Sequence, residues 1–238
     1  MTKHEVVSED KWLATRKALL AEEKAFTKAR DRLSEARRAL PWVKVTKTYS
    51  FEGPKGQEGF ADLFEGRSQL IVYHFMFGPD WNEGCKSCSF WMDNFDGVIG
   101  HLNQRDVSFV AVSRAPLAKL DAFKKRMGWH FKWVSSLETD FNYDYHVSFS
   151  EAEKAKNEIA YNYGTRPYFS SDGPGLSVFH KDESGVIFHT YSCYARGLDP
   201  LNTAYQLLDL VPKGRDEAGL PFPMTWVKLH DKYETQAR

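Results

Sequence analysis

At 238 residues the chain is long enough for one well-cored domain with extensions. Its 32 Lys and Arg balance 32 Asp and Glu, so no net charge draws it toward nucleic acid or a membrane surface. No stretch reaches the ~18 apolar residues of a membrane span, and no apolar signal core follows Met1–Ser8, which predicts a cytoplasmic protein without nucleic-acid or membrane partners.

The first element expected is a helix. Ser8 is a plausible cap and Pro41 a stop, and between them about thirty residues would run roughly 45 Å. Trp12, Leu19, Phe26, Leu33 and Leu40 recur every seven positions, with Ala18, Ala25, Ala29, Ala36 and Ala39 beside them. Thr15 and Glu22 weaken the second row, so the pattern predicts an arm, packed on its own domain or pairing in a homodimer, rather than a strong coiled coil. Residues 1–48 hold 12 Lys and Arg against 7 Asp and Glu, which a solvated helix face accounts for.

After Pro41, Val43–Phe51 alternates as a strand does, and Gly53-Pro-Lys-Gly56 reads as a turn. Phe60–Phe64 suggests a short helix or turn. Gln69–Phe77 is almost wholly apolar or aromatic without alternation, the mark of a strand buried on both faces, and Gly78-Pro79 ends it. From Cys85 onward, Phe90, Trp91, Phe95, Val98, Ile99 and Leu102 recur at helical spacing. Two thiols, Cys85 and Cys88, therefore fall where a buried strand gives way to a helix. There the unpaired N–H groups and the helix dipole favour a thiolate, and one turn brings the two sulfurs within reach of a disulfide.

Val107–Ser113 predicts a second buried strand, Pro116–Met127 a helix closed by Gly128, and Lys132–Ser135 a brief strand. The alternation of strand and helix makes parallel pairing the default. Residues 137–175 read as an insertion, with a capping box at Ser150-Glu-Ala-Glu153 opening a helix to about Tyr163 and a loop over Gly164–Gly175. Leu176–His180 and Val186–Ser192 flank a five-residue hairpin connection. A last helix, Asp199–Leu210, is expected with Asp199 as cap and Pro200 in its first turn. Trp226, His230 and Tyr233 are candidate anchors of the tail that follows. The fold class expected is α/β, with a central mixed sheet flanked by helices: residues 1–42 the arm, 43–211 the domain, 212–238 the tail.

These elements in this order resemble the thioredoxin fold over roughly residues 43–211, and Phe60–Phe77 looks like the opening of the peroxiredoxin branch. Phe75-Met-Phe-Gly-Pro-Asp-Trp81, Ser89-Phe-Trp-Met-Asp93, Leu176-Ser-Val-Phe179, His189-Thr-Tyr-Ser192, Ala195-Arg-Gly197 and His230-Asp-Lys-Tyr233 resemble more closely a bacterial thioredoxin-like family catalogued as domain of unknown function 899. The resemblance implies a thiol–disulfide oxidoreductase with Cys85 as attacking and Cys88 as resolving thiol. It sets Trp81, Asn82, Trp91 and Pro174 near the dithiol as substrate contacts. The substrate would be a protein or small-molecule disulfide, with no cofactor. Pro174 resembles the loop proline that thioredoxins hold in cis.

The chain departs from both relatives. Where peroxiredoxins place a Thr three residues before the cysteine it has Asn82. Where their hairpin begins with an Arg it has Gly173-Pro174-Gly175, which argues against a peroxidase. Where thioredoxin has Trp before the first Cys it has Gly84. The alternatives are a non-catalytic binding scaffold and a zinc site. Zinc normally takes four ligands, and here it would need His189 and Cys193, four apart in a strand and so on one face, to join the pair. Tyr161, Tyr163, Arg166 and Tyr168 of the insertion are candidates to line a pocket over the thiols.

Overall fold

In the computed structural model, residues 4–168 and 170–234 are described. The chain divides into two compact units, Met1–Trp42 and Val43–Arg238. The first is one helix, α1 (Glu9–Arg38), with the Ser8 hydroxyl accepting from Lys11 N–H. Glu9 and Asp10 in its first turn and Arg37 and Arg38 in its last both suit the helix dipole. No residue of α1 is buried. Along the stripe, Trp12 is 55%, Leu19 50%, Phe26 69% and Leu33 51% exposed.

The second unit is built on an eight-stranded sheet. Its strands are β1 (Val43–Lys44), β2 (Ser50–Gly53), β3 (Gly56–Gly59), β4 (Gln69–His74), β5 (Val107–Ser113), β6 (Lys132–Ser135), β9 (Gly175–Lys181) and β10 (Ile187–Tyr194). A separate hairpin pairs β7 (Ile159–Tyr161) with β8 (Gly164–Arg166). The helices are α2 (Lys86–Phe95), α3 (Ile99–Asn103), α4 (Leu117–Met127), α5 (Phe141–Asp144), α6 (Glu151–Lys156) and α7 (Thr203–Leu208). The sheet runs β1-β10-β9-β4-β5-β6-β2-β3, with β4, β5 and β6 parallel and β9 and β10 antiparallel beside them. This is the mixed α/β sheet of the thioredoxin-like fold.

Alternation along the central strands separates two cores. Tyr73, Phe75, Phe109, Ala111 and Leu176 meet α2 and α4 on one face. Leu70, Val72, Val110, Val112 and Phe179 pack with Phe60, Phe64 and Phe141 on the other. β4 and β5 are mainly apolar because both their faces are covered.

Several elements differ from the sequence reading. Val43–Phe51 is not one strand: Val43 pairs with His189 at one edge of the sheet, whereas β2 pairs with β3 and β6 at the other. The crossing between them is held by Lys47, paired with Asp140 and Asp144, and by the Tyr49 hydroxyl donating to Asp144 at 2.8 Å. The helix opened by Ser150 ends at Asn157, in the left-handed region, rather than near Tyr163. Asn162 and Tyr163, at φ 54° and 61°, then form the two-residue turn joining β7 to β8. Asp199 caps no α-helix. Its carboxylate takes both guanidinium nitrogens of Arg215, at 3.0 and 2.9 Å, so Ala195–Leu201 is a 3-10 stretch containing Pro200. Asn202 caps α7 instead, accepting from Tyr205 N–H at 3.0 Å.

Candidate active site

β4 ends under the core and the chain turns through Gly78–Glu83 before entering α2. Phe75 N–H still donates to Val112 O at 2.9 Å, and Cys85 N–H reaches back to Met76 O at 3.0 Å. The loop is thus tied to the strand it leaves. Gly84 lies flat on the core: a Cβ there would stand 2.7 Å from the Phe75 ring and 3.0 Å from that of Phe123. Cys85 is the residue that caps α2, and Cys88 lies inside its first turn.

The two thiols occupy different surroundings. Cys85 is half-buried, whereas Cys88 is buried among Tyr73, Phe75, Trp91 and Met92. The Cys85 thiol is lowered to about 7, chiefly because Cys88 hydrogen-bonds its sulfur, with the Ser87 and Cys88 backbone adding to this against the opposing effect of burial. Cys88 is pushed well above its ordinary value by burial, then by its contact with Cys85. One thiol is therefore substantially ionised at neutral pH and the other retains its proton.

Beneath the pair lies Tyr73. Its hydroxyl is buried against the Cys88 sulfur, a weak acceptor, and meets no nitrogen or oxygen partner among the described residues. Burial and then the Cys88 sulfur hold its proton in place. Sequence reasoning missed this residue. The available signal was parity, since Tyr73 shares the strand face of Phe75 and is the only phenol in an otherwise apolar run.

The expected substrate contacts have different surroundings. Trp81 is half-buried against the thiol-side core, and Asn82 is exposed. Trp91 is buried, its indole N–H donating to Leu198 O at 2.9 Å, so its ring serves the core. The described peptide bonds are all trans, so Pro174 is not the cis proline that the resemblance implies. Its carbonyl accepts from the Tyr161 hydroxyl at 2.6 Å, and that oxygen in turn accepts from Ala195 N–H at 3.1 Å. Tyr161 and Tyr168 pack on Phe149, with Arg166 over both rings at 4.9 and 5.8 Å. Tyr168 lies within electrostatic reach of both thiols, and Tyr161 of Cys88. Tyr163 is 79% exposed and turns instead to Ser192 O, at 2.8 Å.

His189 and Cys193 do not share a face. A register shift between His189 and Tyr191 reverses the parity of β10. His189 consequently joins Tyr145 and Phe179, while Cys193 lies in the thiol-side core. The zinc set needs both on one side. Among the described residues no cluster of three or more His, Cys, Asp or Glu is arranged to hold a metal, and no helix is long and apolar enough to cross a membrane.

The model of a family described as "Bacterial protein of unknown function (DUF899)" matches residues 1–233, and the chain belongs to that family. No curated protein matches the chain. Among solved structures, the chain is similar to peroxidoxin BcpB from Mycobacterium tuberculosis at 10% identity and TM-score 0.45, over 71% of this chain and 97% of that one. It is similar to peroxiredoxin Q of Xanthomonas campestris at 12% identity and TM-score 0.47, over 72% and 98%. A mitochondrial 2-Cys peroxiredoxin from Plasmodium falciparum gives 13% and 0.41, over 71% and 92%. At these identities no residue's role is carried across.

Proposed function

We propose that this protein is a thiol–disulfide oxidoreductase whose Cys85 attacks a protein or small-molecule disulfide and whose Cys88 resolves the product, in the reducing cytoplasm. The observation that carries this reading is the placement of a half-buried Cys85 at the cap of α2 with Cys88 buried within the same turn, an arrangement that drives the two thiols in opposite acid–base directions. The Cys85 thiolate attacks one substrate sulfur, the substrate S–S bond breaks, and the released thiolate takes a proton from water. Cys88 then gives up its proton to solvent and attacks the Cys85 sulfur. The Cys85–Cys88 disulfide forms and the second substrate thiolate departs, protonated in turn. Two electrons pass from the dithiol to the substrate, and an external thiol reductant restores the pair. The Tyr73 hydroxyl, already against the Cys88 sulfur, can donate to the charge that develops there.

Insulin-disulfide reduction with dithiothreitol is the test. The wild type should turn over and Cys85→Ser should fall to the uncatalysed rate. Absent wild-type turnover, with a Cys85 pKa near ~8.5, would favour a binding scaffold. A separate observation, the exposed apolar stripe of α1, supports pairing of the arm in a homodimer. Light scattering should then show the dimer mass for the intact chain and the monomer mass once residues 1–40 are removed.

A further inference from the structure

Three features around Cys85 point to a partner. The first is an open groove of about 580 Å³ between the start of α2 and the C-terminal segment, lined by Gly84, Lys86, Trp226, Val227, Lys228 and Lys232 among others. Gly84 and Lys86 are the residues on either side of the reactive thiol. The second is that the Pro174 carbonyl is occupied, accepting from the Tyr161 hydroxyl at 2.6 Å with the Tyr168 ring packed on that of Tyr161. A substrate chain meets that carbonyl already bonded, whereas the groove beside Gly84 and Lys86 is open. The third is charge. Lys86, Lys228 and Lys232 line the groove with one carboxylate, Glu83, which pairs with Lys232 at 2.7 Å and with Arg126 at 2.6 Å. Lys86 Nζ also donates to Thr225 O at 2.9 Å. Three cations against one anion leave the lining positive. Asp231, the neighbouring carboxylate, is tied to Arg126 at 2.7 Å. Trp226, Val227 and Leu229 supply an apolar floor beneath these cations.

We infer that this groove seats an extended acidic peptide segment bearing the disulfide that Cys85 attacks, its carboxylates facing Lys86 and Lys228 and an apolar side chain on Trp226. The inference rests on the redox reading and adds the substrate class to it. It also gives the His230-Asp-Lys-Tyr233 stretch a task, because Lys232 and Asp231 fix the cationic wall.

The test uses short single-cysteine peptides, acidic, neutral and basic, each activated as a 2-pyridyl disulfide. Release of thiopyridone reports attack by Cys85. The full-length wild type should react with the acidic peptide about tenfold faster than with the basic one at low ionic strength, and salt should erase the difference. In Lys228→Glu, a change at an exposed position, the acidic-to-basic ratio should fall to one or below, and Lys232→Gln should lower it by less. A ratio equal in the wild type and both variants overturns the inference. So does an equal preference for the small anion dithiodipropionate over neutral hydroxyethyl disulfide, since a peptide groove would then be superfluous. Di(2-pyridyl) disulfide tests the redox reading separately, because it needs only a competent Cys85. If that reaction fails, anisotropy of a labelled acidic peptide with Ser in place of Cys still decides docking. Binding weakened by Lys228→Glu supports the groove, and no binding overturns it.

Discussion

Two neighbouring residues of one strand, Tyr73 and His74, carry polar groups into opposite faces of the sheet, and the two faces treat them differently. On the far face a relay of buried groups joins three strands. His74 Nε2 meets the Ser177 hydroxyl at 2.8 Å, Ser177 meets Ser192 at 2.8 Å, and Ser192 meets His189 Nε2 at 2.7 Å. Only His74 Nδ1 lacks a partner, and its ring stacks on Tyr145 at 6.0 Å. On the near face the Tyr73 hydroxyl lies against the Cys88 sulfur and meets no nitrogen or oxygen partner among the described residues. A paired buried group ties strands together at little net cost, whereas an unpaired one costs roughly 1–3 kcal/mol. The far face therefore ties three strands together while leaving one ring nitrogen unpaired, whereas the Tyr73 hydroxyl faces the sulfur that the proposed reaction would charge.

The largest expected effects lie on the near face. In Cys88→Ser the first step should survive and the second stop, so mass spectrometry should find Cys85 joined to substrate. Recovery of free protein at wild-type rates would remove Cys88 from the resolving role. Tyr73→Phe should slow resolution about tenfold, the size of a lost hydrogen bond to a charged group at ~1.5 kcal/mol, and leave the melting temperature nearly unchanged. Ser177→Ala on the far face should do the reverse, lowering stability by roughly 1–3 kcal/mol while activity per folded molecule holds. If both variants lose activity and stability together, the contrast between faces fails.

Acid separates the faces as well. Cys85 labelling by iodoacetamide should rise through about pH 7, where its thiolate forms. His74 is held down to about 3 by burial, then by His189, so the unfolded chain binds a proton there that the folded chain refuses. That term is absent above about pH 6.5 and destabilises progressively toward pH 3, by roughly 1 kcal/mol per pH unit. Denaturant titrations between pH 7 and 4 should show the slope, and His74→Phe should flatten it. The smallest effect expected concerns peroxide. Asn82 is exposed, and Arg166 stands over tyrosine rings rather than beside the sulfur. Stopped-flow oxidation of Cys85 should therefore stay below roughly 10⁵ M⁻¹s⁻¹, beneath the range of efficient enzymes.

The framework was legible because it rests on periodicity and on caps. The continuous apolar run at β4, the Gly128 stop of α4 and the long α1 follow from local rules. What the sequence did not reveal depended on partners distant in the chain. Arg215 draws Asp199 away from a capping role. The bulge after His189 is decided by pairing with β9, and it divides a pair that spacing alone would unite. Tyr73 escaped notice because only the packed helix shows which polar group it faces. The thiol pair itself was readable from its place between strand and helix, but its asymmetry needed the burial of Cys88.

Gly84 has a consequence for transplanting the motif. The space above Phe75 and Phe123 admits no Cβ, so Gly84→Trp, the change that would write thioredoxin's own tripeptide lead into this chain, has nowhere to place its ring. The two aromatic rings and the bare backbone form a matched set, in which the rings forbid a side chain at position 84. Engineering toward thioredoxin therefore has to begin at positions 75 and 123, deep in the core, before the residue beside the thiol can be altered.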